Sequence, residues 1–170
     1  TDITEKLIFI EKPTDIFSHN DFAINFDFEL VTKGKTSQEL SSTNGFIGEK
    51  ENLFIEEGAT IEFSTLNCKT GKIYIGKNAE IMEGSNIRGS LALCEDSKIN
   101  LGTKLYGGTT IGPHSKVGGE VNNIVIFGYS NKGHDGFLGN SVVGEWCNLG
   151  ADTNSSNLKN NYASVKLWNF

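Results

Sequence analysis

Aliphatic residues recur every six positions through the middle of the chain, and this spacing constrains the fold more than any other feature. Eight of them follow at strict intervals: Ile75, Ile81, Ile87, Leu93, Ile99, Leu105, Ile111 and Val117. An α-helix repeats after about 3.6 residues and a strand after about two, so neither explains the pattern. A hexapeptide repeat of this kind predicts a parallel β-helix, in which each hexad supplies a short strand and a corner.

Small side chains accompany the repeat. The residue two positions before each aliphatic residue is small in most hexads: Ala79, Ser85, Ser97, Thr103, Thr109 and Ser115, with Leu91 as the exception. We expect the aliphatic residues to point into the tube and the small ones to lie near the bends, where bulk would clash. Three hexads would make one turn.

The repeat is interrupted twice. A slip of two positions before Ile75 predicts an insertion at a corner within residues 63–72. The register then runs through residue 122 and fails over residues 123–135. It resumes at three aliphatic residues: Leu138, Val143 and Leu149.

The first 45 residues do not repeat. Residues 7–10 are typical of a short strand, and Ser18 with Asp21 resembles a capping box. A helix is favoured after it, with Gly34 at its end, although the same segment also alternates like a strand. The helical pattern rests on three residues four apart: Phe22, Phe26 and Leu30. Residues 35–45 resemble a linker, so we divide the chain into a junction segment, 1–45, and a β-helix, 46–170.

Charge and composition exclude some partners. The 170 residues carry a net charge of −6, which argues against nucleic acid. No apolar run is long enough to span a membrane. The three cysteines are widely spaced and are expected to be reduced, which favours a cytoplasmic protein. The chain does not begin with Met and ends in apolar residues, so we expect it to be part of a longer protein.

One of the three histidines lies where the repeat breaks. His134 stands between Gly133 and Gly136, and on the residues alone it is either a functional group or a surface turn residue. His114 is expected to face solvent, and His19 to lie in the first turn of the helix. No spacing typical of a zinc site is present, so no metal site is predicted.

Residues 133–153 resemble a known enzyme motif. They are similar to the acetyltransferase half of the bifunctional N-acetylglucosamine-1-phosphate uridylyltransferase/glucosamine-1-phosphate acetyltransferase family, which has a Gly-His pair followed at the same spacing by Asn-Ile-Gly-Ala-Gly. Residues 128–162 more closely resemble a subgroup of sugar nucleotidyltransferases, and residues 13–34 look like that subgroup's junction between domains. The resemblance implies an all-β, left-handed parallel β-helix, whereas local rules favour right-handed crossovers.

The resemblance also implies roles for individual residues. His134 matches the family's catalytic base, a role suited to imidazole because its pKa lies near neutrality. Asn148 matches a residue that contacts the sugar phosphate, and Lys104 replaces a phosphate-binding arginine. Ala151 matches the residue whose backbone N–H meets the acyl carbonyl.

Three positions depart from the family pattern. Phe137 replaces a substrate-binding tyrosine, and Asn122 replaces a phosphate-binding lysine. Asp152 replaces a glycine near the expected thioester, where a carboxylate would repel the phosphates of coenzyme A.

Two functions therefore stay open. The first is part of a sugar-phosphate nucleotidyltransferase/acyltransferase, which acylates a sugar 1-phosphate from acetyl-CoA with His134 as base. The second is a non-catalytic domain that assembles or regulates a nucleotidyltransferase whose catalytic domain is outside this chain. Only such a domain would require Mg²⁺. The resemblance implies a homotrimer with sites between subunits. A surface-binding module is less favoured, because no flat ladder of threonine or aromatic residues is evident.

Overall fold

The fold predicted from the hexads is confirmed. The computed structural model describes residues 8–155 and 157–166. It shows a left-handed parallel β-helix of about 6 turns, with one α-helix packed along its side.

The elements are short. Helix α1 spans Pro13–Thr32, and a 3₁₀ turn spans Lys50–Asn52. The strands are β1 Gly45–Ile47, β2 Leu53–Ile55, β3 Thr60–Ile61, β4 Thr65–Asn67, β5 Ile73–Ile75, β6 Glu80–Ile81, β7 Asn86–Arg88, β8 Leu91–Leu93, β9 Lys98–Ile99, β10 Lys104–Tyr106, β11 Thr109–Ile111, β12 Lys116–Val117, β13 Glu120–Ile126, β14 Asn131–Lys132 and β15 Phe137–Val143.

The strands form three faces, and every pairing between turns is parallel. Face 1 contains β1, β4, β7, β10 and the first halves of β13 and β15. Face 2 contains β2, β5, β8, β11 and the second halves of β13 and β15. Face 3 contains β3, β6, β9, β12 and β14. Strands β13 and β15 continue around a corner, so β13 joins faces 1 and 2 into one sheet.

The hexads fill the interior as predicted. Ile75 pairs with Leu93, and Leu93 with Ile111, so residues 18 apart stack and three hexads make a turn. All eight aliphatic residues of the repeat are at most 1% exposed, as are the small residues before them. Each buried aliphatic side chain contributes about 1.5–3 kcal/mol relative to exposure.

The insertion predicted before Ile75 is also present. Five residues, 68–72, connect β4 to β5, whereas only Gly89 and Ser90 connect β7 to β8. The later register differs from the prediction. After Val117 the next inward residue is Val121, so the six-residue spacing already fails at Gly118 and not at residue 123.

Helix α1 is confirmed, but it begins earlier than predicted. It starts at Pro13, where Asp15 accepts hydrogen bonds from the N–H groups of Glu11 and Lys12, both at 2.9 Å. The predicted cap residue Ser18 is inside the helix and donates to the carbonyl of Thr14. His19 is consequently in the second turn. Gly34 has φ +74°, as expected of a residue that ends a helix.

The helix packs on face 2 through a face other than the predicted stripe. Its buried residues are Asn20, Ile24 and Phe28, and it contacts β8, β11, β13 and β15. Asn20 fixes its position: the side-chain amide donates to Gly108 O at 2.7 Å and accepts from the Thr110 hydroxyl at 2.9 Å. The residues that predicted the helix, Phe22, Phe26 and Leu30, are exposed.

The strands predicted near the two ends of the chain can be compared with the structure only in part. Residues 8–10 and 165–166 are not in strands, and residues 7 and 167–168 lie outside the described residues. The segment predicted as a linker packs on the first turn. The N–H of Gln38 donates to Ile55 O at 2.7 Å, and Leu40 contacts the core. The three cysteines are unpaired, as predicted.

One corner of the tube carries a column of residues in the left-handed backbone conformation. Between faces 2 and 3, one residue in each successive turn has φ between +53° and +80°: Gly58, Asn78, Asp96, His114, Tyr129 and Trp146. The rings of His114 and Tyr129 stack at 4.9 Å, and those of Tyr129 and Trp146 at 4.6 Å. His114 is exposed as predicted, but its place in this column was not predicted from the sequence.

Candidate functional site

The candidate site is formed at a corner of the tube that is two residues shorter than the same corner in neighbouring turns. Between faces 3 and 1, six positions separate the inward residues Ile99 and Leu105, and six again separate Lys132 and Leu138. In the turn between them, Val117 and Val121 are only four positions apart. That corner consists of Gly118 and Gly119, which have no side chains. The tube therefore has a notch at this level.

Close packing requires both glycines. A Cβ atom on Gly118 would lie 2.5 Å from the carbonyl oxygen of Gly133 in the next turn. Gly119 has φ +76°, and a Cβ there would lie 2.8 Å from the carbonyl oxygen of Gly136. Backbone contacts with the next turn thus require glycine at both positions of the shortened corner.

The turns on either side of the notch form a groove. It has a volume of about 430 Å³ and is lined by Met82, Asn100, Leu101, Gly133, His134 and Asp135. Asn100 spans the short turn, and its Nδ2 donates to Gly133 O at 2.7 Å. The backbone next to His134 is therefore fixed from two turns away.

His134 lies exposed on the wall of this groove. Among the described residues, its imidazole has no hydrogen-bond partner, whereas its carbonyl oxygen accepts from Nζ of Lys132 at 2.6 Å. The ring is thus attached to an anchored backbone and is open to solvent. This arrangement suits a base that meets its substrate from outside the tube.

Lys132 replaces an aliphatic residue of the core. It pairs with Val117 in an inward-facing position and is only 2% exposed. Burial lowers the pKa of its ammonium, and the nearby Asp135 carboxylate opposes this effect. The hexad pattern did not identify Lys132 as an inward residue; its side chain points into the tube and supports the His134 loop.

The other residues of the acetyltransferase-like motif are distributed over the same end of the tube. Asn131 pairs with Asn148, and continuing that register places Ala151 above His134 and Asp152 above Asp135. Asp152 is exposed with φ +57°. The structure therefore brings these residues to one corner in successive turns.

Three predicted substrate-binding residues lie on face 1. The register places Lys104, Glu120 and Phe137 in one outward row, with Asn122 in the adjacent row beside Gly139. The ring of Phe137 lies so close to Gly139 that a Cβ there would be 2.5 Å from Cζ. The Glu120 carboxylate stands between Lys104 and Phe137, which disfavours a phosphate next to Phe137.

Asn148 lies elsewhere. It is exposed on face 3, next to Asn131, and does not line the groove at His134. Within one copy, the groove contains His134 but none of the other six predicted residues.

Three residues that line the groove, Asn100, Leu101 and Met82, were not predicted from the sequence. They belong to regular hexads, so nothing in their own turns distinguishes them. The signal that would have found them is the four-residue spacing from Val117 to Val121, which exposes the turns on either side.

Comparisons add no further family information. No model of a known protein family matches the chain, and no curated protein is significantly similar to it. Across residues 8–155 and 157–166, no three His, Cys, Asp or Glu side chains are grouped in a way that would hold a metal ion. No helix in the described part of the chain has the length and apolar character needed to cross a membrane.

Proposed function

We propose that this chain is the β-helix part of a cytoplasmic sugar-phosphate nucleotidyltransferase/acyltransferase, and that His134 is the base in acyl transfer to an amino sugar 1-phosphate. The observation that carries the proposal is the open His134 imidazole in the groove made by the shortened corner. The resemblance of residues 133–153 to acetyltransferases supports it.

The chemistry assigned to His134 is proton removal. As the sugar amine forms a bond to the thioester carbonyl carbon, imidazole takes the proton that the nitrogen loses. The carbon–sulfur bond then breaks, and the thiol of coenzyme A leaves with a proton. Acetyl-CoA supplies the activated acetyl group. The hydrogen bonds from Lys132 and Asn100 hold the backbone on both sides of the base.

We further propose that the site is completed between copies in a homotrimer. The predicted substrate-binding residues lie on face 1, on face 3 and at the corner between them, too widely spread for one groove. Neighbouring copies that meet along this corner would bring them together. Mg²⁺ has no role in this step and would serve only nucleotidyl transfer in a separate domain.

The direct test is turnover of the purified chain with acetyl-CoA and glucosamine 1-phosphate, followed by release of free thiol. His134→Gln should lower kcat by on the order of 100-fold or more, because a positioned base contributes about that much. His114→Gln is the matched control, since it replaces an exposed histidine at a different corner. Unchanged turnover in His134→Gln would remove the proposed base.

A non-catalytic assembly domain is the second candidate, and two observations favour it. Phe137 has no hydroxyl and its ring packs over Gly139, and Asp152 brings a carboxylate to the corner where the thioester would lie. Titration calorimetry separates the candidates. An assembled wild-type chain that binds neither acetyl-CoA nor sugar 1-phosphates would support the second.

A further inference from the structure

The groove beside His134 has an apolar side. Leu101, which is 65% exposed, and Met82, which is partly buried, line it on the side nearer the beginning of the tube. A single exposed leucine is common on protein surfaces. Here, however, two aliphatic side chains from adjacent turns share one concave surface with the candidate base. A concave surface that combines apolar side chains with a few polar groups is typical of a ligand site.

Leu101 and His134 occupy the same corner position on opposite sides of the notch. Leu101 follows the inward residue Ile99 by two positions, as His134 follows Lys132. The strands that lead to them, β9 and β14, both pair with β12, so the two levels are two strand spacings, or about 10 Å, apart. Only the two glycines of the shortened corner lie between them. Met82 is one turn further along, about 14 Å from the level of the base.

The glycines between the two levels carry no side chain that would obstruct a ligand. The N–H of Gly118 donates to the carbonyl oxygen of Lys132 at 2.7 Å, and the carbonyl oxygen of Gly119 accepts from the N–H of Lys104 at 2.9 Å. These two polar groups are therefore already bonded within the tube. An apolar chain laid across this corner would not remove their hydrogen bonds, so it would avoid the cost of leaving them unpaired.

The chemistry of the groove does not suit a phosphate or a sugar on this side. Of the described residues that line it, none is a lysine or an arginine, and Asp135 contributes a carboxylate. Lys132 is 2% exposed and donates to the carbonyl oxygen of His134, so its ammonium is not available to a ligand. A sugar ring requires hydrogen bonds, whereas Leu101 offers none and Met82 only a weak acceptor. An alkyl chain requires neither charge nor hydrogen bonds.

We propose that the Met82–Leu101 side of the groove binds the alkyl chain of an acyl thioester, so that the site favours medium-chain acyl groups over acetyl. The inference rests on the proposed function for the reaction at His134 and adds the class of acyl donor. The bonds that form and break are the same for either acyl group. Since a carbon–carbon bond is about 1.5 Å long, an extended chain of about eight carbons reaches from a thioester at His134 to Leu101. The unbranched side chain of Met82 can adapt to chains of slightly different length.

The first experiment compares the affinities of the purified chain for octanoyl-CoA and acetyl-CoA by titration calorimetry. Full burial of one methylene group favours binding about fourfold, and this groove is open on one side, so we expect octanoyl-CoA to bind at least about 10-fold more tightly. Leu101→Asn removes part of the apolar wall and should reduce this preference by about threefold or more. Equal affinities for the two thioesters in the wild-type chain would overturn the proposal.

The matched control is Phe63→Asn. Phe63 is 66% exposed at the same corner of the tube, two turns before Leu101, and does not line the groove. This variant also replaces an exposed apolar side chain by an amide, and it should keep the full preference for octanoyl-CoA. A preference that falls equally in both variants, or in neither, would overturn the proposal, because the alkyl chain would then bind elsewhere.

The second experiment places the alkyl chain in the groove without relying on turnover. Met82 is the only methionine among the 170 residues, so labelling with methyl-¹³C methionine gives a single NMR resonance. Octanoyl-CoA should shift this resonance, whereas acetyl-CoA should not, because an acetyl group at His134 ends far short of Met82. His134→Gln should keep the shift, since binding of the chain does not require the base. A resonance that octanoyl-CoA leaves unchanged would overturn the proposal.

These results distinguish the alkyl site from the proposed base. A chain-length preference and a shift of the Met82 resonance without any turnover would remove the base and leave the alkyl site in place. Turnover of acetyl-CoA that depends on His134, with neither a preference nor a shift, would support the base and overturn the alkyl site.

Discussion

The turns before Val117 and the turns after it have the same kind of interior but different corners. From Ile75 to Val117, strands of two or three residues keep the hexad spacing. In the later turns, strands β13 and β15 run through a corner at Asn123 and Asn140, both with positive φ, and another corner is reduced to two glycines. The interior accommodates these altered corners, because only the inward-facing residues must stack on those of the next turn.

The regular turns and the shortened corner differ in the surface that they present. A regular turn presents the same outline as its neighbours and leaves no concave surface between them. Removing two residues from one corner creates the groove, and His134 and Asn100 lie at its edges. The repeat explains why the chain folds, and the interruption shows where a ligand has room.

Substitutions in the core should give the largest difference in free energy of unfolding between the two regions. Leu93→Ala removes a fully buried side chain with turns packed on both sides, and we expect a loss of about 3 kcal/mol in the free energy of unfolding. Leu149→Ala, at the last and only partly buried level, should cost less than about 1 kcal/mol. Denaturant unfolding of both variants measures the difference. Equal losses would mean that the last turn is packed as tightly as the middle.

A smaller effect is expected at the shortened corner. Gly118→Ala places a methyl group against the Gly133 carbonyl and should cost about 2 kcal/mol. Gly150→Ala occupies the equivalent corner near the end of the tube, where a Cβ has no neighbour within 4 Å, and should be nearly neutral. Thermal unfolding distinguishes them. A neutral Gly118→Ala would show that the notch relaxes easily.

The smallest effect is a dependence on alkaline pH. Burial raises the pKa of the Cys68 thiol to about 11, and that of Cys94 similarly to about 11. Since the unfolded chain releases these protons at lower pH, the thiols' contribution is complete below the ordinary thiol pKa and is lost as pH rises towards 11. At pH 10 it should amount to on the order of 1 kcal/mol per thiol.

Cysteine variants test this assignment. Cys68→Ala should flatten the decline in melting temperature between pH 8 and pH 10, and Cys147→Ala serves as the matched deletion of an exposed thiol. Lys132 acts in the opposite direction, because its lowered pKa makes the folded state more stable as pH rises. An unchanged slope in Cys68→Ala would assign the decline to other groups.

The sequence predicts well whatever repeats. Residues such as Ile81 and Ile99 are interchangeable copies of one environment, so eight positions together determine the interior. The helix was also predictable, but its orientation was not, because Phe26 and Phe28 are equally apolar and only packing decides which one is buried.

The site was predicted only in part. His134, which lines the groove, was singled out through the break in the repeat and its flanking glycines. Lys132 was not recognised as an inward residue because a lysine is rarely buried; here a backbone carbonyl and the nearby Asp135 carboxylate stabilise its ammonium. The side chain of Asn100 reaches the carbonyl oxygen of Gly133 two turns away. This contact depends on the shortened corner between them, and residue type alone does not predict it.

The column from Gly58 to Trp146 has a consequence for redesign. Its backbone conformation is the same at six successive levels, while its side chains change from hydrogen and amide to carboxylate, imidazole, phenol and indole. Equivalent residues of this corner are therefore separated by the spacing of hydrogen-bonded strands, about 4.8 Å. Side chains with different functional groups can be substituted at this corner in successive turns, at known separations, without changing the inward residues of the tube.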